Sequence, residues 1–388
     1  MLQCERSILL MIYFDNAATS FPKPPEVARS VFEAINSFGN PSRGSYNLSL
    51  DAARKVYAAR EKIAMLFNLK DPLNVAFTSN ATESLNIAIK GSFKPEDHII
   101  TTAMEHNSVL RPLYELKEKG VQVSIIKCNK RGLLNYTHVE NEIKQHTKAI
   151  ICTHGSNLTG NLIDIEKIGE ICKVHNLLFI LDASQTAGVF PIDMERHNID
   201  ILCFTGHKSL YGPQGTGGIC LKNHLSINPL KTGGSGSFSF AEHHPCAMPD
   251  ALEAGTINAH GIAGLLSGIQ FIENTGIDTI LSHELKLMWQ FYNGVKNLPK
   301  VKIYGDFSTT LRAPIVSLNI ADYDSKDISQ ELADSYDIAT RAGAHCAPLM
   351  HKALGTEKQG AVRFSFSYFN TALEIKTAIK AIKNLADS

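Results

Sequence analysis

Residues 176–188, NLLFILDASQTAG, and residues 200–222, DILCFTGHKSLYGPQGTGGICLK, decide how this chain folds. In each, a short apolar run rich in β-formers breaks off at polar residues, the first at Asp182 and the second at Thr205-Gly206-His207-Lys208. Comparable runs precede them in NVAFTS, DHIITT, VQVSII and KAIICT, and one follows in GGICLK. Stretches with apolar residues at three-to-four spacing lie between, as in LDAARKVYAAREKIAMLFNL. Seven apolar runs separated by helices predict an α/β fold built on a mainly parallel seven-stranded sheet covered on both faces. The runs are continuous rather than alternating, as strands buried on both sides should be.

Past His260 the pattern changes. Two longer helical stretches, IAGLLSGIQFIENTG and TILSHELKLMWQFYNGVKNL, precede separated strands VKIY, PIVSLNI and AVRFSFS and a last helix, TALEIKTAIKAIKNL. This predicts a smaller α+β unit made of residues 1–25 and 261–388, beside a large unit of residues 26–260. At 388 residues the chain suits two cores. The Gly/Ser-rich stretch at 232–240 reads as a mobile loop.

Thirty-eight basic residues balance thirty-eight acidic ones. No general field therefore attracts nucleic acid or an anionic membrane surface. No apolar run approaches the roughly 20 residues that span a bilayer. The apolar start, Ile8 to Phe14, lacks a basic segment before it and a small-residue cleavage site after it, so it reads as a tail entering an edge strand, with Met11 a candidate natural start. Eight cysteines, Cys4 among them, are scattered without a C-x-x-C pair; Cys152, Cys203 and Cys220 fall inside strand runs as small hydrophobes. No disulfide framework is expected, and a reducing cytoplasm fits.

Ligands in open parallel sheets bind at the carboxyl ends of the strands. After NVAFTS, Asn80-Ala81-Thr82-Glu83 opens a helix, where free amides make an anion site or Thr82 merely caps the helix. After DHIITT comes His106, able to stack on an aromatic ligand or move protons. After KAIICT comes Asn157, and after NLLFILD come Asp182 and Gln185. An unpaired carboxylate at the end of an apolar strand is costly, so Asp182 should face a cation. A structural ion pair with Lys208 is one answer. The other is a heterocycle with a protonated ring nitrogen, an aldehyde and a phosphate, which needs a carboxylate, an amine and an anion pocket; pyridoxal 5′-phosphate has that chemistry.

With FTSNATESLNIAIKG, MEHNSVL, HGSNLTG, LDASQTAG, FTGHKSLYGPQG, LEAGTIN and RAGAHCAPLM in this order, the sequence resembles the class V, fold-type I pyridoxal-phosphate enzymes. Within them it looks like the cysteine desulfurases, especially the Suf-type and selenocysteine lyase branch. The resemblance runs from YFDNAATS to the last helix. It implies a Schiff base at Lys208, Asp182 at the ring nitrogen and His106 stacked on the ring. It places Gln185 and Asn157 at the ring oxygen or the substrate, and Thr82, Thr205, His207 and the Ala81 amide at the phosphate. Thr256 would reach the phosphate of a neighbouring subunit, and Arg363 would clamp the substrate carboxylate, a task suited to guanidinium geometry. Cys346 would receive sulfur as a thiolate favoured by a nearby imidazole or arginine. The activity implied is removal of sulfur from L-cysteine, giving L-alanine and a persulfide for an acceptor protein in iron–sulfur cluster assembly or a related pathway. A homodimer with a shared active site is implied as well.

Selenocysteine lyase, class V aminotransferase and β-lyase activities remain alternatives. A nucleic-acid module lacks a basic patch. Glu242-His243-His244-Pro245-Cys246 lacks paired metal-ligand spacing, and no metal is expected. GPQGTGG at 212–218 has no Walker lysine, and His345, Cys346 and His351 lack the further groups of a cysteine hydrolase.

Overall fold

A computed structural model describes residues 11–41, 44–223, 225–237 and 239–387. Cys4 and the start of the apolar tail lie outside the described residues, as does residue 238 of the Gly/Ser-rich stretch; the rest of that stretch holds neither helix nor strand. Along the chain come β1 (Ile12–Tyr13), α1 (Pro25–Ser37), α2 (Asn47–Leu66), β2 (Val75–Thr78), α3 (Ala81–Ser92), β3 (His98–Thr102) and α4 (Asn107–Glu118). Then follow β4 (Gln122–Ile126), α5 (Tyr136–Asn141), β5 (Thr147–Thr153), α6 (Ile165–His175), β6 (Leu178–Asp182), β7 (Ile201–Thr205) and β8 (Gly217–Leu221). The last part holds α7 (Ala259–Thr275), α8 (Ile277–Val295), β9 (Val301–Tyr304), β10 (Ile315–Ile320), α9 (Ser325–Tyr336), β11 (Ile338–Ala339), α10 (Pro348–Leu354), β12 (Val362–Ser365) and α11 (Ala372–Asp387).

Seven strands form the large sheet in the order β2-β8-β7-β6-β5-β3-β4. All run the same way except β8, which is antiparallel to both β7 and β2. Its direction follows from its connection. A parallel return needs a crossover of a dozen or more residues, usually a helix, whereas residues 206–216 form a helix-free loop. The strands alternate between two apolar faces. Ile99, Ile151, Ile180 and Ile201 pack with Leu85 and Leu113 on one side. Ile100, Ile150, Phe179 and Leu202 pack on the other with Ile63, Ile168 and Ile269. Helices on both faces leave only the strand ends accessible, and the parallel strands put Thr78, Thr102, Thr153, Asp182 and Thr205 at one edge.

A second core gathers Phe14, Phe291, Leu318, Phe364 and Ile382 around the antiparallel sheet β12-β10-β9. The chain start joins it: β1 pairs in parallel with β11, and Ser365 N–H donates to Phe14 O at 2.8 Å. The sequence boundary at 260/261 would assign α7 to this smaller unit. Instead α7 packs on α1 and α2 and buries Ile262, Leu265 and Ile269 in the larger core, because its face is apolar nearly all round. Among the described residues no helix is long and apolar enough to cross a membrane.

Candidate active site

At the carboxyl edge of the large sheet lies a cavity of about 230 Å³. It is lined by Ala81, Thr82, His106, Asn157, Asp182, Gln185, Thr205, His207, Lys208, Cys346 and Arg363, which come from seven separate segments of the sequence. Thr256 is not among them; it is exposed and lines a separate surface depression with Lys231 and Asn258.

Lys208 is set by a tight turn after β7. Gly206 N–H donates to Thr216 O at 2.8 Å, Gly212 N–H to Gly206 O at 2.7 Å and Tyr211 N–H to Lys208 O at 2.9 Å. A Cβ at Gly206 would collide with Thr216 Oγ1, so the turn needs glycine there. Burial pushes the Lys208 amine down to about 8, with Asp182 opposing that fall. Yet no ion pair joins the two among the described residues. Asp182 Oδ1 instead accepts from Ser184 N–H at 2.9 Å and from Ser184 Oγ. The structural-pair alternative is thereby not realised, and the amine and the carboxylate both line the cavity.

The anion end is built by two helix N-termini. Asn80, not Thr82, caps α3: its side chain accepts from Glu83 N–H at 3.0 Å. First-turn amides have no acceptor within their helix, so those of Ala81 and Thr82 are available to the cavity. His106 caps α4, its Nδ1 accepting from Ser108 N–H at 3.0 Å. That bond assigns the proton of the neutral ring to Nε2. Ser108 Oγ, which sequence reasoning missed, links His106 Nδ1 at 2.9 Å to Thr82 Oγ1 at 2.8 Å. Burial, then the Lys208 charge, pushes His106 down to about 4, so it is neutral at pH 7. His207 falls to about 4 for the same two reasons. Thr205 Oγ1 and His207 Nδ1 are buried with no hydrogen-bond partner. Such groups are costly unless something outside the chain satisfies them. Glu105, also missed, is buried beneath this end, accepts from Thr102 Oγ1 at 2.5 Å and is raised by burial to about 8. It therefore adds no second negative charge beside Asp182.

Cys346 belongs to a loop held by its carbonyls. Asn157 Nδ2 donates to His345 O at 2.7 Å, and Asn107 N–H, at the start of α4, donates to Cys346 O at 2.8 Å. Gly343, His345 and Cys346 have φ of 97°, 49° and 54°, a left-handed backbone that costs His345 and Cys346 on the order of 1 kcal/mol each. Cys346 is exposed, whereas Cys152, Cys203 and Cys220 are buried and their thiols raised by burial. The neighbouring imidazole is not the cation envisaged for it. His345 turns inward, Nε2 lying 3.1 Å from Arg341 O and the ring stacking on His351 at 5.8 Å, and burial holds it neutral. Arg341, at the foot of the loop, remains as the nearby cation.

Arg363, on β12, is only 2% exposed. Its Nη1 donates to Asn157 O at 2.9 Å and its Nη2 to Asp15 Oδ1 at 2.7 Å, while Nε is buried without a partner. Gln185 Nε2 donates to Ala17 O at 3.1 Å, so the DNAATS segment walls the same side. The cavity can thus hold an anion at one end, a cationic ring between Asp182 and His106, and a carboxylate at Arg363, all within reach of one amine and one exposed thiol.

Residues 12–377 match the family model Aminotransferase class-V, and the chain belongs to that family. Within it, the similarity is to cysteine desulfurases. A probable cysteine desulfurase of Methanothermobacter thermautotrophicus is 32% identical over 382 residues, covering 97% of this chain and 94% of that protein. Cysteine desulfurase IscS of Photobacterium profundum is 30% identical over 394 residues, covering 97% and 93%. The solved apo structure of cysteine desulfurase from Thermococcus onnurineus NA1 superposes with a TM-score of 0.91 at 32% identity, covering 97% of this chain and 95% of that one. The architecture is that of the fold-type I enzymes.

Proposed function

We propose that this protein is a pyridoxal 5′-phosphate-dependent cysteine desulfurase that takes L-cysteine to L-alanine and collects the sulfur on Cys346. The observation that carries the reading is the convergence of Lys208, Asp182, the α3 N-terminus, Arg363 and an exposed Cys346 on one cavity. The residues fit the cofactor. Two buried polar atoms without partners, Thr205 Oγ1 and His207 Nδ1, sit with the Ala81 and Thr82 amides where a phosphate would be held. Asp182, unpaired with Lys208, would meet the ring nitrogen, and His106 would cover the ring. When bound, the cofactor supplies an electron sink for the substrate's α-carbon.

Lys208 would hold the cofactor, and its Nζ would move the substrate's α-proton; its lowered pKa suits an amine that gains and loses a proton. Arg363 binds the substrate carboxylate, with Asn157 fixing the guanidinium plane. Cys346 Sγ attacks the substrate sulfur: an S–S bond forms, the C–S bond breaks and its electron pair stays with carbon, which takes a proton to become alanine. His106, neutral with its proton on Nε2, can supply a proton. The persulfide is destined for a sulfur-acceptor protein in iron–sulfur cluster assembly or a related sulfur pathway in the cytoplasm.

Incubation of the cofactor-loaded protein with L-cysteine and dithiothreitol should release alanine and sulfide in equal amounts, with a mass increase of one sulfur on Cys346 when the reductant is omitted. A keto acid as the main product would replace this reading with aminotransfer or β-elimination.

The same reading makes Thr256 a residue of the neighbouring subunit's phosphate site, which suits its exposed place outside the cavity of its own chain. A two-fold dimer repeats one patch on both subunits. Light scattering at micromolar concentration should give twice the 42.5 kDa of the chain. A fully active monomer is the result that excludes the shared site.

A further inference from the structure

The carboxylate end of the cavity carries a charge that neither substrate anchoring nor sulfur collection calls for. Asp15, just past β1, contacts Arg363 Nη2 through Oδ1 at 2.7 Å and Arg341 Nη1 through Oδ2 at 3.8 Å. The two arginines are held side by side by their backbones: Arg363 N–H donates to Arg341 O at 2.8 Å and Arg341 N–H to Arg363 O at 3.3 Å. One is 2% and the other 48% exposed in its side chain, so their repulsion is only partly screened by water. Asp15 is the single acidic group that contacts both among the described residues. Two guanidinium groups and one carboxylate leave one net positive charge, next to the buried, partnerless Nε of Arg363. A ligand with one carboxylate balances that charge. A second anionic group overshoots it.

Building on the desulfurase reading for the nature of the ligand, we propose that Asp15 is the positioning residue of the carboxylate clamp. It anchors Arg363 through Nη2, leaving Nε for the substrate, and it cancels one of the two guanidinium charges. The pocket thereby favours amino acids with one anionic group over those with two. Asp15 touches arginine rather than substrate, and its effect is read as selectivity.

The test uses two unreactive ligands, propionate and succinate, titrated against the cofactor-loaded protein at fixed ionic strength and followed by ligand-observed NMR. Asp15→Asn should shift the ratio of the two dissociation constants about tenfold toward succinate, the size expected for one charge at a partly buried site. Asp15→Glu should restore most of the original ratio, and Arg341→Gln should shift it the opposite way. A structural role would weaken both ligands alike, so an unmoved ratio in Asp15→Asn overturns the proposal. Should that variant not fold, an unmoved ratio in Arg341→Gln overturns it as well. Neither ratio depends on turnover. Absence of alanine from L-cysteine in the unaltered protein would remove the desulfurase reading and leave the charge measurement standing.

Discussion

Lys208→Ala should lower alanine formation from L-cysteine by about a thousandfold or more, within the range by which a positioned proton-transfer group speeds a reaction. The expectation rests on two roles converging on one atom. Nζ is the amine in the cavity able to hold the cofactor, and it is the base within reach of the substrate once displaced. Borohydride treatment of the unaltered protein followed by peptide mapping should place the pyridoxyl label on Lys208, and on no residue in the variant. A label on another lysine, or a variant keeping a tenth of the activity, would sink the assignment. The lowered pKa adds a pH signature. Only the neutral amine is nucleophilic, and a fall from 10.5 to about 8 raises its share at pH 7 from roughly one in three thousand to roughly one in ten. Capture of the cofactor by the stripped protein should therefore quicken about tenfold per pH unit from 6 to 7 and level off above 8.

Cys346→Ala should separate substrate activation from sulfur collection. Its side chain makes no hydrogen bond that fixes the loop; the loop is held by the His345 and Cys346 carbonyls, which the substitution keeps. Cofactor binding and the absorbance change on adding L-cysteine should survive. Alanine formation should fall by about two orders of magnitude or more, since a tethered thiol is worth effective molarities that a dissolved one cannot supply. Turnover of L-selenocysteine should fall less, a selenol being the better leaving group. Stopped-flow absorbance together with alanine analysis reads both halves. Full desulfuration by the variant would make the loop thiol incidental and advance the β-lyase alternative.

The large sheet was legible because its strands are apolar throughout and break off in polar residues, so Asp182 and Lys208 announce the carboxyl edge. The direction of β8 was not, because it depends on the absence of a helix in residues 206–216 rather than on any strand residue. The residues that line the cavity were readable as local motifs that end strands or open helices. Asp15 was in plain view within DNAATS, yet its partner Arg363 lies 348 residues away and no local pattern connects them. β11, two residues long, gave too short a signal to notice. The inward turn of His345 follows from left-handed backbone at a non-glycine residue, which sequence alone does not signal.

That long separation has a temporal side. Asn16 Nδ2 donates to Ser365 O at 2.9 Å, and Asp15 meets Arg363 beside it, so the clamp joins the first described strand to one near the other end of the chain. At about 5–20 residues per second, roughly 20–70 s pass on the ribosome between synthesis of the two halves of this contact. The sheet that frames Lys208 is complete by Leu221, well before that. On the proposed reading, a nascent chain can therefore shape the cavity around Lys208 early, while its grip on the amino acid waits for β12.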